Sequence, residues 1–398
     1  MKHYACVVIG KGLVGSATAK YLSLDESDVA LIGPDEPGDF SVGEIFAAHY
    51  DEARVQRLTG WDSDWTLLNK LSVQAYAELQ RKTGISFHRP VGCLYVNPHG
   101  LDPYLKRAPS LASEFHIEAD QHLANQALSE GFPDFQFPKG SVGMFEPGPA
   151  GYINPRNLLR AQLKQCAVHG VAIHDDIVTG IARKQTEYEL TCRSGFRCSA
   201  DKLVMATGSF QNFTHLLPEP LTMRSKSEVV LLGRIPDHSV ERYMTLPSLL
   251  YEIKSQELEG IYLLPPVRYP DGHTYIKIGC NFPEDIWFSD LTEIREWFRS
   301  GDSDHFLPML KDALCTLMPK LQCDDYQTKR CVVSYTEDKR PYIDRYRDES
   351  IVVAGGCNGY SAMCSDAMGK VAAQRSLGTN PVEFSREAFR LAYDQSQV

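Results

Sequence analysis

Residues 4–9 form a short apolar run, Gly10-Lys11-Gly12-Leu13-Val14-Gly15 follows, and residues 16–24 then carry apolar positions at helical spacing. No other stretch limits the possible folds as strongly. With a second apolar run at Val29–Ile32, it reads as strand, tight turn, helix and strand, which commits the start of the chain to a parallel sheet with helical crossovers. The GxGxxG spacing in that context is a dinucleotide-binding loop. Gly10 permits the tight turn, Gly12 lets the backbone approach a pyrophosphate, and Gly15 allows close helix–strand contact, while the helix start offers unpaired N–H groups to phosphate. A glycine-rich turn without a ligand is the plainer alternative, disfavoured by the strand and helix on either side.

The second strand ends in Gly33-Pro34 rather than in the acid that ordinarily holds the adenosine ribose. Asp35 or Glu36 just beyond the turn, or backbone and water, are the alternatives for that task. The loop alone does not separate FAD from NAD.

The 398 residues exceed one ordinary core. A helical stripe runs from 62 to 83, and β-rich runs broken by Pro and Gly fill 85–145. A helix from 157 to 168, with Asn154 as cap and Pro155 just inside, restores the α/β pattern. Strand-like runs at 227–232, 260–264 and 274–279 then suggest a second sheet, followed by a helix at 291–299. A last strand at 351–354 feeds a glycine loop and a closing helix at about 363–377. The expectation is two interleaved domains: 1–84, 150–217 and 330–398 binding the dinucleotide, and 85–149 with 218–329 holding the substrate.

A formal net charge of −10 lacks the cationic face that a polyanion requires, so nucleic acid is not an expected partner. No stretch approaches the roughly 20 apolar residues of a membrane span. Lys11 and the glycines interrupt the opening apolar run where a leader's hydrophobic region would continue. Eleven cysteines without a CxxC pair or repeated ligand spacing suit reduced thiols and a cytoplasmic location, with no metal site.

Further motifs follow in order: Gly151-Tyr152-Ile153-Asn154-Pro155 before a helix, Val178-Thr179-Gly180-Ile181, Ala206-Thr207-Gly208 after a strand, the segment 334–344 and the glycine loop 355–359. With the N-terminal loop, this series resembles the FAD-dependent amine and amino-acid oxidases, the group of D-amino acid oxidase, glycine oxidase and monomeric sarcosine oxidase, over nearly the whole chain. The resemblance implies a Rossmann-like FAD-binding domain interleaved with an α+β substrate domain built on a mostly antiparallel sheet. It also implies FAD as cofactor, with Val178 near the adenine, Gly208 closing the FAD domain, and Gly356 and Gly359 bringing backbone amides under the flavin.

The same resemblance assigns four candidate roles. Cys331 stands where sarcosine oxidases carry the cysteine bonded to the flavin. A lowered thiol pKa, aided by Lys329 or Arg330, would favour such a covalent link, and a packed thiol is the alternative. Lys277 stands where a lysine promotes oxygen reduction, against the alternative of a solvent-facing strand lysine. Arg54 would lie near the flavin and Arg57 would pair with a substrate carboxylate through its bidentate fork, against a pair of exposed helix arginines. At three positions the sequence departs from sarcosine oxidases: Met363 replaces a carboxylate-binding lysine, Val333 a tyrosine and Asn281 a histidine. These changes favour a larger, more apolar or less anionic amine. The expected reaction is hydride transfer from a small amine or amino acid, followed by imine hydrolysis and reoxidation by oxygen to give hydrogen peroxide. Alternatives are a dehydrogenase of amines or 2-hydroxy acids serving a quinone or carrier, and a flavin-binding subunit without turnover. No general base is identifiable from sequence.

Overall fold

In a computed structural model that describes residues 1–254, 257–347 and 350–394, the opening segment forms the strand Lys2–Ile9, the helix Leu13–Leu22 and the strand Val29–Ile32. The first strand is the parallel partner of both Val29–Ile32 and Arg197–Met205. The sheet it centres has eight strands, running from Val178–Lys184 through Glu187–Cys192, Arg197–Met205, Lys2–Ile9 and Val29–Ile32 to Ala172–His174. Ile351–Gly355 adds in parallel to Arg197–Met205 and carries Tyr342–Arg345 on its other side.

Burial on both faces explains the near-continuous apolar character of these strands. One face is covered by Leu13–Leu22 and the last helix, Ser361–Ser376. These two helices cross at Gly369, where an added Cβ would sit 2.4 Å from that of Ala17. A buried ion pair between Lys20 and Asp366, with the Tyr21 hydroxyl donating to Asp366 at 2.6 Å, fixes the crossing. Ser63–Thr83 packs alongside, begun by the Asp62 side chain accepting from Trp65 N at 2.9 Å and ended by Gly84 at φ +68.

The second sheet also has eight strands, in the order Asp325–Thr336, Met223–Arg234, Thr274–Asn281, Glu259–Arg268, Ser248–Lys254, Cys93–Asn97, Val142–Glu146, Asp120–Ala124. Its neighbours are antiparallel except Ser248–Lys254 with Cys93–Asn97, which matches the mostly antiparallel sheet expected. Helices Leu291–Ser300 and Leu307–Leu317 bury Trp297, Phe298, Leu310 and Leu314 in its main core. A three-stranded sheet joins the bodies, with Gly151–Ile153 between Arg54–Gln56 and His88–Arg89.

We retain the proposed two-domain division with one shift. The strand Asp325–Thr336 pairs along its whole length with Met223–Arg234, so the boundary drawn at 330 cuts a single strand of the second sheet. The helix Pro103–Glu114 and the interior strand Ser248–Lys254 had no sequence counterpart, because the first carries an internal proline, Pro109, and the second a polar interruption.

Candidate functional site

A cavity of about 360 Å³ runs from the glycine loop to the face of the second sheet. Its dinucleotide end is built by steric exclusion. A Cβ on Gly10 would lie 2.2 Å from Ala206 O, and one on Gly15 would lie 1.8 Å from Gly10 O. A Cβ on Gly12 would meet nothing within 4 Å. Gly10 and Gly15 therefore serve chain packing, whereas Gly12 faces open space at the cavity wall. The helix behind it has no side-chain cap, so its first N–H groups remain for an anion. Val178 and Gly208 (φ +58) also line this end. The donor set and the excluded volume fit a pyrophosphate-containing dinucleotide such as FAD.

Neither acid considered for the ribose lines the cavity. Asp35 pairs with the buried Lys11 at 2.6 Å, and Glu36 is held by Arg156 at 2.7 Å. Gly33 stands where the acid is expected because a Cβ there would lie 2.4 Å from Lys11 N. His49 lines the cavity nearby. Burial, with the charges of Arg156, Arg54 and Lys11, pushes its pKa down to about 3, so it is neutral at physiological pH.

Farther along, the segment 51–57 contains the short strand Arg54–Gln56 in place of the helical alternative, and both arginines are buried or nearly so. Arg54 lines the cavity and forms an ion pair with Asp51, while its Nη2 donates to Ala48 O at 2.8 Å. Lys277 Nζ donates to the same Asp51 at 2.8 Å and to Ala53 O at 2.5 Å. The Tyr269 hydroxyl completes the cluster, donating to Asp51 at 2.6 Å. Burial alone would raise the Asp51 pKa, but Lys277 and Arg54 overcome this and hold it well below the usual carboxylate range. Burial and the charge of Arg54 outweigh Asp51 at Lys277, whose pKa falls to about 8.

Lys277 is only 1% exposed and is not a wall residue. It stands behind Arg54 and Tyr262, its Nζ 5.5 Å from the Tyr262 ring centroid. Its burial rules out the solvent-facing strand lysine.

Arg57, 2% exposed, is on the wall. Its guanidinium lies 4.7 Å from the Tyr104 ring centroid and 5.6 Å from those of Trp61 and Tyr360, and its Nε and Nη1 have no hydrogen-bond partner among the described residues. The chain around it is pinned. Gln56 donates to Arg57 O at 3.0 Å, and Glu146 accepts from Leu58 N at 2.7 Å and Thr59 N at 3.0 Å. A fixed cation with free donors suits a carboxylate.

Cys331 lines the cavity with Arg54 Nη2 3.9 Å from its sulfur. The cations adjacent in sequence do not serve it. Arg330 donates to Gly301 O at 2.8 Å, and Lys329 lies over the Tyr269 ring at 4.8 Å. Burial raises the thiol's pKa despite Arg54. Gly359 (φ +77) is on the wall, whereas Gly356 (φ +68) is not. Gly356 serves the turn: its carbonyl accepts from Asn358 Nδ2 at 2.7 Å, and a Cβ would lie 2.5 Å from Thr336 Cγ2. Met363, Val333 and Asn281, the three departures, all line the cavity.

Sequence reasoning missed Glu228, Tyr262 and the aromatic groups around Arg57. Glu228 was visible as a charge inside an apolar strand. Tyr104 and Tyr360 reach Arg57 from elements far apart in the chain, and no local pattern announces them.

A family model described as FAD dependent oxidoreductase matches residues 5–375. Peroxisomal sarcosine oxidase of Mus musculus is 23% identical over 97% of this chain and 95% of its own length. N-methyl-L-tryptophan oxidase of Yersinia pestis (strain Pestoides F) is 23% identical over 98% and 99% respectively. Among solved structures, the open form of NikD, an unusual amino acid oxidase essential for nikkomycin biosynthesis, shares the fold with a TM-score of 0.79 at 17% identity, over 99% of this chain and 98% of that one.

Proposed function

The chain belongs to the family of FAD dependent oxidoreductases, and we propose that it oxidises a small amine or amino acid bearing a carboxylate. The observation that carries this reading is Arg57, a buried guanidinium with unpartnered donors at the wall of the cavity. An uncompensated buried charge is costly, and a carboxylate ligand removes that cost. The names of the relatives, oxidases of sarcosine and of N-methyl-L-tryptophan, point to the same class of substrate. FAD, when bound, supplies a hydride acceptor for a C–H bond beside nitrogen, and the imine product hydrolyses in water.

The protein's part is positioning. Arg57 orients the substrate through its carboxylate, while the rings of Trp61, Tyr104 and Tyr360 shut water from the guanidinium. Lys277 and Tyr269 hold Asp51, which fixes Arg54 beside Cys331. We assign the flavin contact to Arg54 and leave Cys331 as the covalent attachment to be tested. With all eleven cysteines unpaired, we propose a cytoplasmic location.

Oxygen is the proposed electron acceptor. Hydrogen peroxide formed in equal amount to substrate consumed is the expected result, and substrate turnover only with an added quinone or dye would reject it. One observation favours that second reading, a dehydrogenase: Lys277 lies behind the wall. Lys277→Met separates the two. In an oxidase the variant is still reduced by substrate but reoxidises slowly in air, whereas unchanged reoxidation removes Lys277 from the oxygen reaction.

A further inference from the structure

Glu228 lies on Met223–Arg234 directly opposite Cys331 on one neighbouring strand, and one step beyond the paired Val229 and Cys280 comes Asn281 on the other. Glu228, Cys331 and Asn281 all line the cavity. Tyr262 donates its hydroxyl to Glu228 Oε1 at 3.0 Å, and Oε2 has no hydrogen-bond partner among the described residues. Other buried acids here are neutralised or fully hydrogen-bonded: Asp51 by Lys277 and Arg54, Asp366 by Lys20, Asp285 by Lys226, Glu146 by the 58–59 segment. Glu228, half-buried at the cavity wall, has no such partner. Arg54 and Lys226 act on it through space, but each forms its ion pair with another acid.

The placement is built into the sheet. The Tyr262 ring lies across Gly279, where a Cβ would fall 2.5 Å from ring carbon and 2.6 Å from the hydroxyl. Only the missing side chain lets the tyrosine cross that strand to reach Glu228. A carboxylate enclosed with one neutral donor and a free oxygen facing a cavity calls for a cationic ligand.

We propose that Glu228 is the catalytic residue that binds the substrate nitrogen as an ammonium and takes its proton, making the cavity selective for molecules that carry both an ammonium and a carboxylate. The inference rests on the amine reading above and supplies its missing base. In the step, a substrate N–H bond breaks and its electron pair stays on nitrogen. The proton forms an O–H bond with Glu228, so that a neutral amine and a neutral carboxylic acid result, with no change of oxidation state. Burial raises the pKa of Glu228, opposed by Arg54, Lys226 and the Tyr262 hydrogen bond, which brings it closer to that of a proton acceptor useful near neutrality. Asp285 pushes in the same direction as burial, and the other titratable groups close by are Cys331, Tyr335 and Cys280.

The test uses the flavin-loaded protein and two ligands of one shape, trimethylammonioacetate and 3,3-dimethylbutanoate, which differ by a cationic nitrogen in place of carbon. Perturbation of the flavin spectrum reports binding without turnover. The wild type is expected to prefer the cationic ligand by roughly tenfold or more through the Coulombic attraction of Glu228 for the quaternary nitrogen, which has no N–H to donate. Glu228→Gln should erase that preference while keeping its flavin and its affinity for the neutral analogue. Equal affinities in the wild type, or a preference intact in the variant, overturn the assignment.

Anaerobic flavin reduction by an amino acid then tests the proton step. Glu228→Gln should be slowed about 100-fold at pH 7 and recover as pH approaches the amine's own pKa, with Glu228→Asp intermediate. A loss equal at every pH would overturn the base and leave only the cation contact. If no amine reduces the wild type, the amine reading fails, while the ligand preference still decides whether Glu228 receives a cation.

Discussion

Arg57 carries the most specific expectation at the scale of single residues. Replacing it with Met removes up to two charge-assisted hydrogen bonds to a carboxylate, about 1.5–3 kcal/mol each. The apparent KM for an amino acid should therefore rise roughly a hundredfold, and decarboxylated analogues should be used as well as before. Steady-state kinetics on such a pair checks this, and equal losses on both would remove the carboxylate role. Cys331 poses a different question. Its thiol pKa is raised by burial and eased mainly by Arg54, with a smaller contribution from its hydrogen bond to the Val332 backbone, so attachment depends chiefly on that cation. Acid precipitation should leave yellow colour in the pellet for the wild type and in the supernatant for Cys331→Ser. Colour in the supernatant for both would make Cys331 a packed thiol. Arg54, Arg57 and Cys331 were legible because each lies within a motif. Glu228 was not, since only the pairing of distant strands sets it beside Cys331.

The glycine loop is where a local sequence pattern and three-dimensional packing can be separated by experiment. Gly15→Ala would place a methyl 1.8 Å from Gly10 O, within the strand–helix contact itself, so the expected outcome is loss of folded protein or a large drop in Tm. Gly12→Ala meets no heavy atom within 4 Å. That variant should keep the Tm of the apoprotein and lose FAD affinity, measured as the flavin-to-protein absorbance ratio. Equal damage from both would mean that Gly12 has a packing role instead. Strands and helices near this loop were readable from periodicity and caps, as the Asn154 cap of Pro155–Val168 illustrates. The short strand Arg54–Gln56 was not, because three residues carry too little pattern and its identity comes from pairing with Gly151–Ile153.

Across the whole molecule, pH couples folding to the cavity through His49. Its folded pKa, about 3, lies below the unfolded value of about 6.5. Between those values the unfolded chain binds a proton that the folded chain refuses, so stability is full above pH 6.5 and falls as pH drops toward 3. The slope from this one group approaches about 1.4 kcal/mol per pH unit. Denaturant unfolding of His49→Gln should show a flatter decline from pH 6.5 to 4.5 than the wild type, and parallel declines would show that His49 is not the group refused. The two-sheet architecture was legible from motif order over nearly the full chain. The position of Lys277 was not, because strand alternation gives its face but not the Asp51 that draws it away from the cavity.

Anaerobic mixing of the purified yellow protein with a panel of N-methylated and primary amino acids is the most direct measurement. Bleaching of the oxidised flavin band by at least one carboxylate-bearing amine, reversed on admitting air, is the expected result. A fully flavin-loaded protein that keeps its oxidised spectrum through the whole panel, yet bleaches with a 2-hydroxy acid or with none, would contradict amine oxidation at Arg57 and Glu228.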